Sequence, residues 1–249
     1  GVPDASYAFV FNDTTKYDKN YQYDYIGKTD YFVTGRNTIW VENIFNATGY
    51  DMLAGVSTYF RKTTDWDLFI YVNDELRLEQ SGTCNPGYIT INLQEHIPLQ
   101  PNDTFRIRFK FDNKYGAEFA ISEGEYANKK LNTTGFSFFS KDGVEWIDLY
   151  DYEYITQLND GHRYTSQVAA IKAFTISYEL QHMISLDVEN NFNRVNVIAF
   201  ITDQFNNIIK SGNLTFNIDG ENMSANIENG VAKLNYEFAN KGVFDINAV

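Results

Sequence analysis

Between Thr104 and Asp112 the sequence reads Thr-Phe-Arg-Ile-Arg-Phe-Lys-Phe-Asp, with apolar and charged residues alternating without a break. Side chains of an extended strand point to opposite faces with a period of two, so Phe105, Ile107, Phe109 and Phe111 share one face and Arg106, Arg108 and Lys110 the other. Wound as a helix, the same residues would scatter Phe and Arg around the axis and leave no apolar stripe. The stretch is therefore a β-strand with one face on a core and the other against water, a ligand or acidic neighbours.

The rest of the first two-thirds of the chain supplies sheets around it. Apolar runs predict strands over 6–11, 21–27, 38–47, 50–60, 66–72, 88–93, 117–122 and 168–175, with turn residues between them and 117–122 as a partner of the 104–112 strand. Tyr21, Tyr23 and Tyr25 would lie on one strand face, as a stacking platform or as the wet side of a core layer. Gly82–Gly87, holding Cys84 and Pro86, reads as a turn. Asp142-Gly143 between two apolar-rich runs, 135–141 and 144–149, has the signature of a β-hairpin. Many short strands and no convincing helix predict an all-β, jelly-roll-like β-sandwich. Near Ile176 tryptophan disappears, aromatics thin out and short alternating strands recur between Asn/Asp/Gly turns, the spacing of a smaller immunoglobulin-like sandwich. The expected domains are 1–175 and 176–249, the second lacking its last strand or receiving it from another part of the chain.

Thirty-three acidic residues against 20 basic ones give a net charge of −13, which opposes nucleic acid and anionic membranes. No apolar run approaches membrane-spanning length, so no direct membrane insertion is expected of these residues. The chain begins at Gly1 without a Met and reads as a piece of a longer, exported protein. Asn-X-Ser/Thr triplets at Asn12, Asn46, Asn102, Asn132, Asn213 and Asn222 could accept glycans in such a protein, although an Asn-rich chain produces several by chance.

The single cysteine, Cys84, cannot form an internal disulfide, and no nucleophile motif surrounds it. His96, His162 and His182 are scattered without metal-type spacing. Asp112-Asn113 with Glu118, or Asp142 in its Gly turn, offer oxygen ligands suited to Ca2+, but they are also ordinary turn formers and match no calcium loop. The most suggestive surface is the charged face of the 104–112 strand. If the strand of Trp66–Val72 lies in the same sheet, Arg106, Arg108 and Lys110 share a face with Asp67, Phe69 and Tyr71. Arg forks and Tyr rings together suit an acidic sugar or peptide. The alternative is a ladder of cross-strand ion pairs.

Several blocks carry a resemblance. Tyr21–Gly27 (YQYDYIG), Trp40–Ala47 (WVENIFNA), Leu53–Tyr59 (LAGVSTY), Phe69–Val72 (FIYV), Gly135–Leu149 (GFSFFSKDGVEWIDL) and Ala170–Thr175 (AIKAFT) occur in the order found in a lectin-like domain family. That domain follows the catalytic part of papain-like cysteine peptidases and occurs in large surface proteins of methanogenic archaea and some bacteria. Ala170 departs from the pattern, where a Cys is common. The second region, with Asn213–Phe216 and Asn229–Ala232, resembles the immunoglobulin-like repeats of methanogen adhesin-like proteins. The resemblance implies a non-catalytic, cell-surface adhesin segment whose partners are glycans or surface proteins of other cells. A second implication is an accessory region of a papain-like peptidase that shapes substrate access.

Overall fold

The computed structural model describes residues 16–123, 134–155, 163–164, 166–240 and 242–249. The expected first strand at 6–11 lies outside the described residues. The chain divides into two compact units, Gly1–Tyr178 and Glu179–Val249. Tyr178 stays with the first because its amide donates to Tyr50 O (3.2 Å), its hydroxyl reaches Leu99 O (3.5 Å) and its ring meets Tyr50 edge-on.

The described strands of the first unit are β1 (Lys19–Tyr21), β2 (Asp30–Val33), β3 (Thr38–Asn46), β4 (Asp51–Phe60), β5 (Thr64–Val72), β6 (Glu75–Cys84), β7 (Gly87–Leu99) and β8 (Thr104–Asp112). After them come β9 (Glu118–Ser122), β10 (Ser137–Ser140), β11 (Trp146–Asp148), β12 (Tyr154–Ile155), β13 (Arg163–Tyr164), β14 (Val168–Ala169) and β15 (Lys172–Ser177). All pairings are antiparallel. One layer is a six-stranded sheet in the order β11-β10-β3-β8-β5-β6; the other is formed by β1-β15-β4-β7 and β14-β9-β2. This is a β-sandwich, and its core follows from the period of two. Phe105, Ile107, Phe109 and Phe111 of β8 are all but fully buried beside Ile39, Val41 and Phe45 of β3 and Trp66, Leu68, Ile70 and Val72 of β5. Across the layers they meet Leu53, Val56, Ile91 and Leu99, with Phe60 edge-on to Phe111 and Tyr21 edge-on to Phe105.

The structure departs from the sequence expectations at four places. The 117–122 strand, β9, pairs with β2 and β14, whereas β8 takes β3 and β5 as neighbours. Gly82–Gly87 is no simple turn: Cys84 closes β6, a strand the exposed sequence ELRLEQSGTC concealed. The 168–175 run breaks into β14 and β15, which join different sheets. The strand expected over 21–27 stops at Tyr21. Tyr21 and Tyr23 then pack against the core, the latter stacked on Phe45 (4.9 Å) with its hydroxyl on Ile44 O, while Tyr25 is exposed. Where this segment crosses β15, Lys172 Nζ donates to the buried Asp24 Oδ2 at 2.8 Å.

The second unit contains β16 (His182–Asn191), β17 (Arg194–Asp203), β18 (Ser211–Ile218), β19 (Glu221–Glu228), β20 (Val231–Glu237) and β21 (Ile246–Ala248), in the order β16-β17-β20-β19-β18-β21. β19 and β20 share only the pair Glu228–Val231, so the order splits into two three-stranded halves. Val195, Val197, Ala199 and Ile201 from one half and Leu214, Phe216 and Ile218 from the other form its core. Among the described residues no helix is long and apolar enough to cross a membrane.

Candidate functional site

The outer face of the six-stranded sheet collects the polar half of each alternating strand. Register pairs Asp67 with Lys110, Phe69 with Arg108 and Tyr71 with Arg106, so these residues do share one face. On the other side of β8, Trp40 sits opposite Lys110, Glu42 opposite Arg108 and Ile44 opposite Arg106. Phe138 lies beside Glu42, and the β10–β11 hairpin adds Trp146 opposite Ser140 and Asp148 opposite Phe138.

The cations are paired across the strands. Arg108 Nε donates to Glu42 Oε2 at 2.7 Å, and Arg106 Nε lies 3.4 Å from Glu42 Oε1. Arg106 Nη2 reaches Asp74 Oδ1 at 3.0 Å, while Lys110 Nζ sits 3.0 Å from Asp67 Oδ2 and 2.7 Å from Asp112 Oδ2. The ion-pair ladder considered from the sequence is therefore present. Burial holds the Glu42 carboxyl above the usual carboxylate range, an effect the Arg108 and Arg106 charges offset only in part. Hydrogen bonds to Asp112 and then Asp67 hold the Lys110 ammonium above the usual lysine range.

Aromatic rings frame the ladder. The Arg108 guanidinium lies 4.3 Å from the Trp146 ring centroid and 5.0 Å from that of Tyr71, and Lys110 Nζ lies 6.0 Å from the Trp40 ring. Trp40 and Phe69 stack with centroids 5.6 Å apart and planes 25° from parallel. With Nε bound to Glu42, the two terminal nitrogens of Arg108 have no hydrogen-bond partner among the described residues, and they emerge between two rings. Such a surface offers flat apolar area, donors and acceptors side by side.

Two turns set this geometry. Asn73 and Asp74, both at positive φ (50° and 67°), form the two-residue turn between β5 and β6. That turn brings the Asp74 carboxylate to Arg106. The turn at Asp142-Gly143 holds its shape because Asp142 Oδ1 accepts from the amides of Val144 (2.9 Å) and Glu145 (3.0 Å), bonds that lower its pKa. Gly143, at φ +80°, lies under Trp40, where a Cβ would come within 2.9 Å of the indole.

Trp40, Glu42, Trp146, Asp74 and Asp112 were missed by sequence reasoning about this face. The signal for Trp40 and Glu42 was available in the alternation of β3, whose buried residues Ile39, Val41, Asn43 and Phe45 leave the even positions outward. Asp74 is carried there by the Asn73-Asp74 turn and Trp146 by the β10–β11 hairpin, and only the packing of these hairpins beside β8 and β3 brings them to Arg106 and Arg108.

The oxygen ligands considered for Ca2+ are not brought together. Asp112 accepts from Thr38 and pairs with Lys110, the Asn113 side chain is spent on Thr63 O and the Tyr115 amide, and Glu118 pairs with Arg61 and Lys62. Among the described residues no group of three or more His, Cys, Asp or Glu could hold a metal ion. Cys84 accepts a hydrogen bond from the Trp66 indole nitrogen at 3.2 Å, and burial raises its thiol pKa, the opposite of what a nucleophile requires.

Among solved structures, the chain is similar to a Clostridial cysteine protease, Cwp84, after propeptide cleavage (18% identity, TM-score 0.48, 64% of this chain and 40% of that one). A second structure, of the cysteine protease and lectin-like domains of Cwp84, a surface layer associated protein of Clostridium difficile, matches with 18% identity, a TM-score of 0.46 and 64% and 36% of the two chains. Ruminococcus gnavus β-glucuronidase matches at 10% identity and a TM-score of 0.29 over 93% of this chain and 41% of that one. The chain thus spans well under half the length of these proteins. No curated protein sequence matches it. The model of the lectin-like domain matches residues 20–175, more than half of the chain and all the strands that build the outer face, and the chain belongs to that family.

Proposed function

We propose that the first unit is a non-catalytic recognition module of an exported cell-surface protein, binding a glycan on the outer face of the β11-β10-β3-β8-β5-β6 sheet, with the second unit an immunoglobulin-like spacer. The observation that supports this most is the joining of Trp40, Phe69, Tyr71 and Trp146 with Glu42, Arg106, Arg108 and Lys110 on one sheet face. An ion-pair ladder alone has no use for indole rings left partly open to solvent, whereas sugar rings stack on them and hydrogen-bond to the charged groups between. Membership of the lectin-like family is in keeping with this reading. Saturable binding of purified cell-wall glycans by the whole chain, abolished by the combined change of Arg106→Ala, Arg108→Ala and Tyr71→Ala with the fold retained, is the expected result. Binding untouched by those changes removes the site.

A second reading makes the unit the accessory region of a papain-like peptidase, packing on the catalytic domain and shaping substrate access. It rests on the resemblance of blocks such as Gly135–Leu149 to the domain that follows such peptidases. Sequence immediately preceding Gly1 in the full gene decides between them.

A further inference from the structure

We infer that the ligand of the outer face is an uncharged oligosaccharide, which revises the acidic ligand expected from the sequence. This rests on the glycan reading above.

The strand Thr104–Asp112 presents three cations, but each meets a carboxylate within 3.0 Å: Arg108 with Glu42, Arg106 with Asp74, and Lys110 with both Asp67 and Asp112. Glu42, Asp67, Asp74 and Asp112 already outnumber them, and register places Asp65 and Glu79 on the same face. An acidic ligand would displace a carboxylate or sit beside several, on a chain of net charge −13. Its charge is unwelcome here.

An uncharged sugar meets no such repulsion. Each hydroxyl both donates and accepts, and the face alternates donors (the Arg108 terminal nitrogens, Lys110) with acceptors (Asp67, Asp112). Beside these lie the Trp40–Phe69 stack and the Trp146 and Tyr71 rings near Arg108, whose apolar area suits the C–H faces of pyranose rings. The ion pairs would then serve to hold the rings and donors in place, with Glu42 as a positioning residue for Arg108.

The test is calorimetric titration of the whole chain with oligomers of glucose, galactose, mannose and N-acetylglucosamine, and in parallel with oligomers of glucuronic and galacturonic acid. A neutral oligomer should bind at least about tenfold tighter than any uronate, with little change as salt rises from about 0.05 to about 0.5 M, because no net charge is neutralised. Trp40→Ala and Trp146→Ala should each weaken it about tenfold or more while far-UV circular dichroism shows the β-sandwich still folded at the assay temperature. Preference for a uronate, with affinity falling as salt rises, overturns the inference while leaving the glycan reading intact. Binding of neither class to the folded chain overturns the glycan reading itself.

Discussion

At the scale of single residues, several side chains sit in environments that the sequence could not show. Burial, with a smaller contribution from Tyr25, pushes the Tyr23 phenol well above the usual tyrosine range. The folded protein therefore keeps a proton that the unfolded chain loses, so stability is full below the unfolded value and falls as pH rises through the window above it. Tyr23→Phe should remove about one proton from the unfolding equilibrium in that alkaline window, measured as a shallower loss of denaturation midpoint with pH. An unchanged slope would assign alkaline sensitivity elsewhere, with Lys110, whose raised pKa acts in the same direction, the next candidate. Gly143 offers a second test. Its positive φ and the indole beneath it mean that Gly143→Ala should cost about 1–3 kcal/mol in chemical denaturation and weaken ligand binding by moving Trp40. The dipeptide Asp142-Gly143 announced the turn; nothing in the sequence announced that Trp40 would lie against it.

At the scale of elements, β8 was legible because its two faces differ so sharply in chemistry. Phe109→Ala should cost about 3–5 kcal/mol, as expected for emptying a fully buried aromatic site, with urea denaturation as the readout. The strands flanking β8 were also readable as strands, but that Asp67, Phe69 and Tyr71 share a face with Arg106, Arg108 and Lys110 depended on β5 lying beside β8, which only the register shows. β6 was hidden because both its faces are largely polar, and an edge strand of that composition has no period-two hydrophobic signal. The division of 168–175 was hidden for another reason. Asn43 is buried in β3 and its side-chain amide donates to Ala169 O (3.0 Å) and Ile171 O (3.3 Å), while its oxygen accepts from Ser137 Oγ (2.7 Å). A single amide thus satisfies the backbone where the chain leaves one sheet for another, and only tertiary contact reveals it. Asn43→Leu should take the Asn43 partner from Ile171 O and from the Ser137 hydroxyl, while Ala169 O keeps the Ile171 amide, and should cost about 2–4 kcal/mol by the same readout. Lys172→Met provides a contrast, since it leaves the Asp24 carboxyl buried without its cation. Burial already raises the pKa of Asp24, so the destabilisation should be about 3 kcal/mol at neutral pH and shrink in acid, where the carboxyl takes up a proton.

At the scale of the whole molecule, the two units keep separate cores, one built on aromatics and the other on Val, Ile and Leu. The composition of the sequence changes near Ile176, and Tyr178 is held to the first unit through contacts with Tyr50 and Leu99. The ligand class was the least legible part. Three cations on one strand suggest an anion partner until the register reveals the carboxylates that answer them; Asp112 is close by on β8, but Glu42, Asp67 and Asp74 lie far away in sequence on β3, β5 and the turn after it. The central claim is that ligand binds over the outer face of the six-stranded sheet, and the chain's three tryptophans test it directly. Trp40 and Trp146 lie on that face, whereas Trp66 is buried in the core with its indole nitrogen on Cys84. Nitrogen-15 NMR of the indole N–H groups during titration with the bound oligosaccharide should shift the Trp40 and Trp146 signals and leave that of Trp66 in place. Saturable binding with the Trp40 and Trp146 signals unmoved would contradict it.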